Sequence, residues 1–383
     1  MSNVLVKKVT TEKQMSDFIS LSRTLYKDNN LYVPDLDVEV RNFFNPKENH
    51  DLAFADVQPF IAIKDGNVVG RVAGIVSHKS NATWNKNIVR FTFLEFIDDR
   101  DVSQALLDAV AAWGAEKGMN EIQGPMGITD FDKEGMLVED FHLRGCFMEF
   151  WNPSYYKEHM EALGFEKATD WLQIRFQVPE QVPARFQRVA DYAKQEFGIH
   201  MVRKSKKEIR GDYGKKVFSM LNQAFAPLYG FAPFSDKQVD DILDRFLPLV
   251  DLDMLAIAED DKGELAGVAI TCRDFSDGIQ RSRGKLFPFG WFHILRALKF
   301  GKQDKAQLMI IGIRPEMQGM GINAAMFAHL IPIYHRLGIK WCETNPQLET
   351  NVRELSQWKP LSPETVKRRR CWRKEIERSD IKI

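Results

Sequence analysis

Cysteine pairs, net charge and long apolar runs are what this chain of 383 residues lacks. Its four cysteines, Cys146, Cys272, Cys342 and Cys371, are scattered and form no C-x-x-C. That spacing argues against a disulfide framework or a zinc site and for a reducing compartment. The eight histidines include no H-E-x-x-H or similar cluster, so no metal is expected. Lys plus Arg, 53, equals Asp plus Glu, 53. No global field draws in nucleic acid, and any basic site must be local. The opening MSNVLVKKVTTEKQ has no apolar signal-peptide core, and no apolar run reaches membrane-span length. A cytoplasmic protein without a transmembrane segment is expected. The length is enough for two ordinary globular cores.

Against those absences stands Ala306–Phe327, AQLMIIGIRPEMQGMGINAAMF. Leu308–Ile313 is a short apolar run rich in β-branched residues, the pattern of a buried strand. Gln318-Gly319-Met320-Gly321 turns the chain, and from Ile322 the apolar residues recur at helical spacing through Leu337. Two glycines ahead of a helix free backbone N–H groups to converge on one spot at the positive end of the helix dipole. An anion is expected there.

The stretch RPEMQGMGINAAMF resembles the CoA-binding motif of the GNAT superfamily of CoA-dependent N-acyltransferases, in which a strand enters an R/Q-x-x-G-x-G/A turn and a long helix. The first motif position, Gln or Arg in that family, is here Glu316. By the resemblance, Gln318, Gly319, Met320, Gly321, Ile322 and Asn323 cradle the pyrophosphate of an acyl-CoA. Acetyl-CoA is the expected donor, with another acyl-CoA as the variant. Ile311, Gly312 and Ile313 then offer main-chain hydrogen bonds to the pantetheine and the thioester.

The chain also repeats itself. Val4–Val9 reads as a strand, Thr11–Lys27 as a capped helix and Leu31–Asn49 as a loop. Phe60–Ser77 reads as a hairpin, Val89–Phe96 as a strand, Val102–Lys117 as an amphipathic helix and Glu121–Pro125 as a strand. The order returns later: Leu255–Cys272 falls opposite Ile61–Ile75, Gly338 opposite Gly118, and Asn345-Pro346 opposite Asn152-Pro153. The changing offsets imply an insertion in each half, Gly127–Trp151 and Gln280–Lys305. The same alignment sets Asp99 and Asp101 opposite Gly319 and Gly321, and two carboxylates repel a pyrophosphate. They equally suit a helix N-terminus. GRVAGI, FTFLEF and NPSYY complete a resemblance to tandem-copy bacterial GNAT proteins with a degenerate first copy. The implied fold is α/β: two tandem GNAT-like copies, each a mixed central sheet flanked by helices. The degenerate domain spans 1–180 and the CoA-binding domain 200–383, with the boundary near Pro179–Arg203.

The resemblance implies direct attack of an amine on the thioester, which needs a base. Glu343, a carboxylate in the apolar strand Lys340–Thr344, is one candidate; ion pairing with Arg314 or Lys340 is its other reading. Glu349 and Asn351 match the acidic-x-Asn start of the family's last helix, where they position substrate or cap. The family's Tyr acid is replaced by Trp358. Cys342 is a nucleophile or a buried thiol. The run KRRRCWRK, Lys367–Lys374, is a strand with solvated charges or a source of cations for CoA phosphates. Aromatics Phe131, Phe141, Phe150, Trp151, Tyr155 and Tyr156 line a substrate wall or a core. In Gln280–Lys305, Trp291, Ile294, Leu295 and Leu298 share a helical stripe beside Arg296 and Lys299. Packing element, lid, or peripheral membrane contact through residues 286–300 are the readings. The expected partner is a small-molecule or peptide amine, with no nucleic acid. The alternatives are a non-catalytic CoA or small-ligand module and a Fem-type aminoacyl-tRNA-dependent transferase.

Overall fold

A computed structural model describes residues 3–300 and 303–377. The first half runs β1 (Val4–Lys8), α1 (Glu12–Leu25), α2 (Asp37–Phe43), β2 (Ala55–Lys64), β3 (Asn67–Ser77), α3 (His78–Trp84), β4 (Ile88–Phe96), α4 (Arg100–Glu116), β5 (Glu121–Gly124), β6 (Met136–Glu139), α5 (Tyr155–Ala162) and β7 (Glu166–Gln177). Next come α6 (Ala184–Phe197), β8 (His200–Val202), α7 (Lys206–Glu208), α8 (Gly214–Phe225), α9 (Asp236–Phe246), β9 (Leu255–Glu259), β10 (Leu265–Arg273) and α10 (Ser276–Ser282). The chain closes with α11 (Gly290–Phe300), β11 (Lys305–Ile313), α12 (Ile322–Arg336), β12 (Trp341–Thr344), β13 (Gln347–Leu348), α13 (Val352–Ser356) and β14 (Glu364–Glu375). No helix among the described residues is long and apolar enough to cross a membrane.

Local chemistry accounts for most of these elements. Thr11 caps α1 through a capping box with Gln14. Asp65 and Gly66, with φ of 51° and 76°, make the tight turn between β2 and β3. The expected loop 31–49 instead contains α2, whose Val40 is buried and whose Asp37 pairs with Arg23 of α1. Its pattern is too short to register as periodic, and a tertiary contact supplies what propensity does not.

Two compact units divide the chain, and they are interleaved rather than sequential. One comprises Met1–Leu172, Phe275–Lys299 and Lys367–Ile383; the other comprises Gln173–Asp274 and Phe300–Val366. The difference from a division at 180–200 lies in the ends of the copies. The first unit's sheet runs β1-β2-β3-β4-β5 and is continued by the C-terminal β14, Trp372 opposite Gly124. The second unit's sheet runs β8-β9-β10-β11-β12 and is continued by Arg175–Gln177 of β7. In both, antiparallel neighbours lead to one parallel pair, β4 with β5 and β11 with β12. A right-handed crossover needs a helix between such strands, and α4 and α12 provide it.

Each crossover helix carries its unit's core. On α4, Val102, Leu106, Val110 and Trp113 are all buried. They approach β3 closely because Gly70 and Gly74 have no Cβ, which would lie 2.7 Å from Leu106 Cδ1 and 2.9 Å from Trp113 Cε3. On α12, Ile322, Met326, Leu330 and Tyr334 are fully buried among Phe176, Phe186 and Trp358. The second half's insertion joins the first unit through named bonds: Asp37 N–H donates to Gly284 O (2.8 Å), and Gln280 Nε2 donates to Asn30 O (2.8 Å) and Tyr32 O (2.7 Å). Gly301 and Lys302 of that insertion lie outside the described residues.

The basic run Lys367–Lys374 does form a strand, but its first four charges turn inward and Arg373 alone is exposed. Lys367 and Arg369 are buried, each 2.7 Å from a carboxylate oxygen of buried Glu149. Arg370 and Arg368 pair with buried Asp170 at 2.8 and 3.2 Å. These four cations are committed to buried carboxylates and are not available to CoA phosphates. Removing Glu149's charge strands two buried cations, so Glu149→Gln is expected to cost about 3–5 kcal/mol in urea unfolding. Glu364→Gln, at an exposed pair with Arg175, is expected to cost under about 1 kcal/mol. Equal losses for the two variants would contradict this reading of β14.

Candidate functional site

In the second unit the two middle strands part. β11 and β12 pair in parallel over Lys305–Leu308 and Trp341–Thr344. On the other flank of β11, the register with β10 slips between Ile270 and Thr271, and Met309 is the extra residue. Such a bulge bends its strand and re-aims the residues beyond it. Asn345 holds the opening: its N–H donates to Leu308 O (2.9 Å) and its side-chain amide to Met309 O (2.7 Å). Past that point, Ile310–Ile313 pair with β10 alone.

Arg314 N–H donates to Ala266 O across the β10–β11 pair. Antiparallel alternation then turns the N–H of Gly312 toward β10 and those of Ile311 and Ile313 toward the opening. Gly312 is therefore not one of the main-chain donors. Its glycine serves packing, since a Cβ there would lie 2.4 Å from Leu221 Cδ2 of α8.

The glycine turn comes next along the chain. Gly319 and Gly321 have φ of 89° and 83°, left-handed conformations that suit glycine. Gly321 is the N-cap of α12 and offers no side chain to the first-turn amides, which have no intrahelical acceptor. The amides of Gln318 and Met320 turn back to Pro315 O and Met317 O, both at 3.3 Å. Gly319, Gly321, Ile322 and Asn323 are thus the candidate donors among the six expected residues. The glycines differ in surroundings. A Cβ at Gly319 would meet nothing within 4 Å, whereas at Gly321 it would lie 2.4 Å from Val189 Cγ1 of α6. Space for an anion lies over Gly319.

Beside the turn runs α13, tied to it twice. Arg353 Nη1 donates to Gln318 Oε1 (3.2 Å), and Asn323 Nδ2 donates to Gln357 Oε1 (3.2 Å). Glu354 sits on the same helix, partly buried, with Gln347 Nε2 donating to its Oε1 at 2.8 Å. Burial pushes this carboxyl up to about 7, while a hydrogen bond with Gln357 pulls the other way. A group that changes charge near neutral pH, next to the glycine turn, is suited to proton transfer. Arg353 and Glu354 were missed from the sequence. The one signal there is the N-x-x-E spacing from Asn351, and it reads as a helix start.

The other candidates fall elsewhere. Glu343 lies where β12 is paired on both sides, opposite Gln307 and Arg175, before the strands part. Buried, it stands 3.3 Å from Lys305 Nζ, so its ion-pair partner is Lys305 rather than Arg314 or Lys340. Asn351 caps α13 by accepting from Glu354 N–H (3.3 Å), and Glu349 lies partly exposed just before that cap. Trp358 is fully buried, stacked on Phe176 and donating Nε1–H to Gln347 Oε1 (2.9 Å). Burial pushes the Cys342 thiol up to about 12, the state of an inert structural thiol.

The first unit has the same parting, closed. β4 and β5 pair only over Ile88–Arg90, and β4 bulges between its partners for Arg71 and Ala73. Tyr155 and Tyr156 take the backbone that this frees: Phe96 N–H donates to Tyr156 Oη (2.9 Å), and Tyr155 Oη–H donates to Phe96 O (2.6 Å). At the head of α4 the N-cap is Asp99, the counterpart of Gly321 rather than of Gly319. Its hydrogen bond from Lys64 holds its carboxyl below the usual range, so it stays charged where an anion would have to sit. Of the six wall aromatics, Phe150, Trp151 and Tyr156 line a small cavity with Glu95 and Asn152, while Phe131 is exposed and Phe141 packs against the Tyr26 cluster.

No family model matches the chain. It is 27% identical over 378 residues to Protein YghO of Escherichia coli (strain K12), covering 97% of this chain and 95% of that protein. To a bacterial ceramide synthase of Caulobacter vibrioides it is 25% identical over 312 residues, 81% of this chain and 80% of that one. Among solved structures it is similar to a tandem GNAT protein from the clavulanic acid biosynthesis pathway, with TM-score 0.57 and 12% identity over 98% of this chain and 99% of that one. A GCN5-related N-acetyltransferase from Sphaerobacter thermophilus gives TM-score 0.51 at 12% identity, covering 98% and 97%.

The two glycines of the turn should respond differently to a methyl group. Gly321→Ala is expected to lower stability by about 1–3 kcal/mol more than Gly319→Ala, because only the former is pressed against a neighbour. Thermal unfolding of both variants checks it, and equal shifts would place α6 elsewhere.

Proposed function

We propose that this chain, which has the tandem GNAT fold, is an acyl-CoA-dependent N-acyltransferase whose second copy binds the donor. The observation that carries the reading is the parted β11 edge leading into a glycine turn whose amides are uncapped by any side chain. Ile311 and Ile313 would hold the pantetheine and thioester by their N–H groups, and Gly319–Asn323 would hold the pyrophosphate with Arg353 beside it. The amine attacks the thioester carbonyl, and the developing oxyanion is stabilised by a preorganised backbone N–H. As the C–N bond forms, Glu354 takes the proton from nitrogen. As the C–S bond breaks, the CoA thiolate leaves and is reprotonated, so the step needs no other co-reactant. The likeness to a ceramide synthase supports an acceptor amine borne on a long-chain base and a fatty acyl donor in place of acetyl.

Calorimetry with acetyl-CoA and a long-chain acyl-CoA tests the donor site. Gly319→Asp sets a carboxylate into open space over the turn and is expected to weaken binding about tenfold or more while circular dichroism stays unchanged. Equal affinity for wild type and variant would remove the site. Catalysis has its own test in thiol release against pH. The wild-type rate should rise as pH passes through about 7 and Glu354 loses its proton. Glu354→Gln is expected to lower the rate about 100-fold or more and abolish that rise. Glu343→Gln should leave the rise in place; if it alone abolishes the rise, the base is Glu343.

A further inference from the structure

Part of the first unit's surface has no explanation in acyl transfer. Between Asp277 and Phe300 the sequence contains no carboxylate and five cations, Arg281, Arg283, Lys285, Arg296 and Lys299, in a chain whose net charge is zero. Within the same stretch Phe287, Phe289, Phe292, Trp291 and Leu295 are 78%, 70%, 50%, 45% and 39% exposed. A soluble chain rarely leaves so many large apolar side chains together without a use for them.

The protrusion is built, not loose. Trp291 N–H donates to Leu286 O (2.9 Å), and its Nε1–H donates to Pro288 O (3.0 Å), which folds 286–291 into a closed loop with Phe287 and Phe289 at its tip. Below it α11 is seated on α10: a Cβ at Gly278 would lie 2.8 Å from His293 O and 2.9 Å from Ile294 Cα, and Ala297 is buried. The exposed face of α11 carries Trp291, Phe292 and Leu295 together with Arg296 and Lys299, so it mixes large apolar side chains with cations. The helix stripe expected from the sequence therefore splits, with Trp291 and Leu295 facing out while Ile294 and Leu298 are partly buried.

We infer that residues 281–299 dock this protein on an anionic lipid bilayer, the loop tip and the outer face of α11 entering the interface while the flanking Arg and Lys side chains meet lipid phosphates. Exposed aromatics ringed by cations match the two forces that hold interfacial helices, apolar burial and attraction to acidic headgroups. A second copy of the chain fits poorly. A two-fold contact through this patch would press its cations against themselves. The placement stands independently of the donor site.

Sedimentation of the full chain with vesicles of phosphatidylcholine, with and without phosphatidylglycerol, tests the inference without any substrate. The wild type is expected to bind the acidic vesicles about tenfold or more tightly than the neutral ones. The triple variant Phe287→Ser, Phe289→Ser, Phe292→Ser should lose about tenfold or more of that binding. Its thermal unfolding should be unchanged because the side chains are exposed. Arg281→Gln with Arg283→Gln should erase the preference for the acidic lipid. No vesicle binding, or binding equal in wild type and triple variant, would overturn the proposal. So would a wild-type dimer that the triple variant dissolves while neither protein binds vesicles.

Discussion

Two parallel strands that begin paired and then separate are the constraint on which the second unit is organised. Once β11 leaves β12 at Leu308, N–H and C=O groups along one edge have no strand to receive them. Unmade backbone hydrogen bonds are costly, so a fold keeps such an edge only where something else fills it. The bulge at Met309 creates the separation, and Asn345 fixes its starting point with two short bonds. The same strand then delivers its unpaired edge directly to the turn at the head of α12. Gly312 and Gly321 let α8 and α6 pack tightly against the strand and the turn, while Gly319 stays clear of every neighbour. The tight packing and the opening are therefore products of the same few backbone positions.

The first unit answers the same constraint from within the protein. Its middle strands separate just as early, yet the freed backbone of Phe96 is bonded by Tyr155 and Tyr156, whose helix lies just after the insertion in sequence. Asp99, tied to Lys64, closes the helix head with a charge of the sign that a phosphate would carry. One copy thus satisfies internally what the other leaves open. Each copy's sheet is also completed by strand residues from the far end of the other half of the sequence, which binds the duplication into an interleaved pair.

Charge is distributed with equal economy. Cations on β14 that look surface-bound in sequence are neutralised inside by Glu149 and Asp170, where their desolvation is offset by short paired contacts. The acid-free stretch around α11 is the reverse case: Arg281, Arg283, Lys285, Arg296 and Lys299 are exposed beside exposed aromatics. Net neutrality conceals both.

Much was legible in the residues alone. Alternation and helical spacing marked the strands and crossover helices. Glycines at two turn positions marked the left-handed turn ahead of α12, and self-similarity marked the duplication. These signals are local, carried by dihedral preference and by neighbours a few residues apart. What stayed hidden depended on contacts across long stretches of chain. By sequence Glu343 reads as a carboxylate in an apolar strand and Glu354 as part of a helix start. Only tertiary structure put Lys305 against the first and seated the second on α13 beside the glycine turn. A last strand at Lys367–Lys374 was likewise expected, but nothing local named Glu149 as its buried counter-charge or joined that strand to β5 rather than to its own copy. Backbone conformation is set by near neighbours and so was written in the sequence; pairing, burial and protonation are set by whichever distant groups arrive, and only the folded chain decided them.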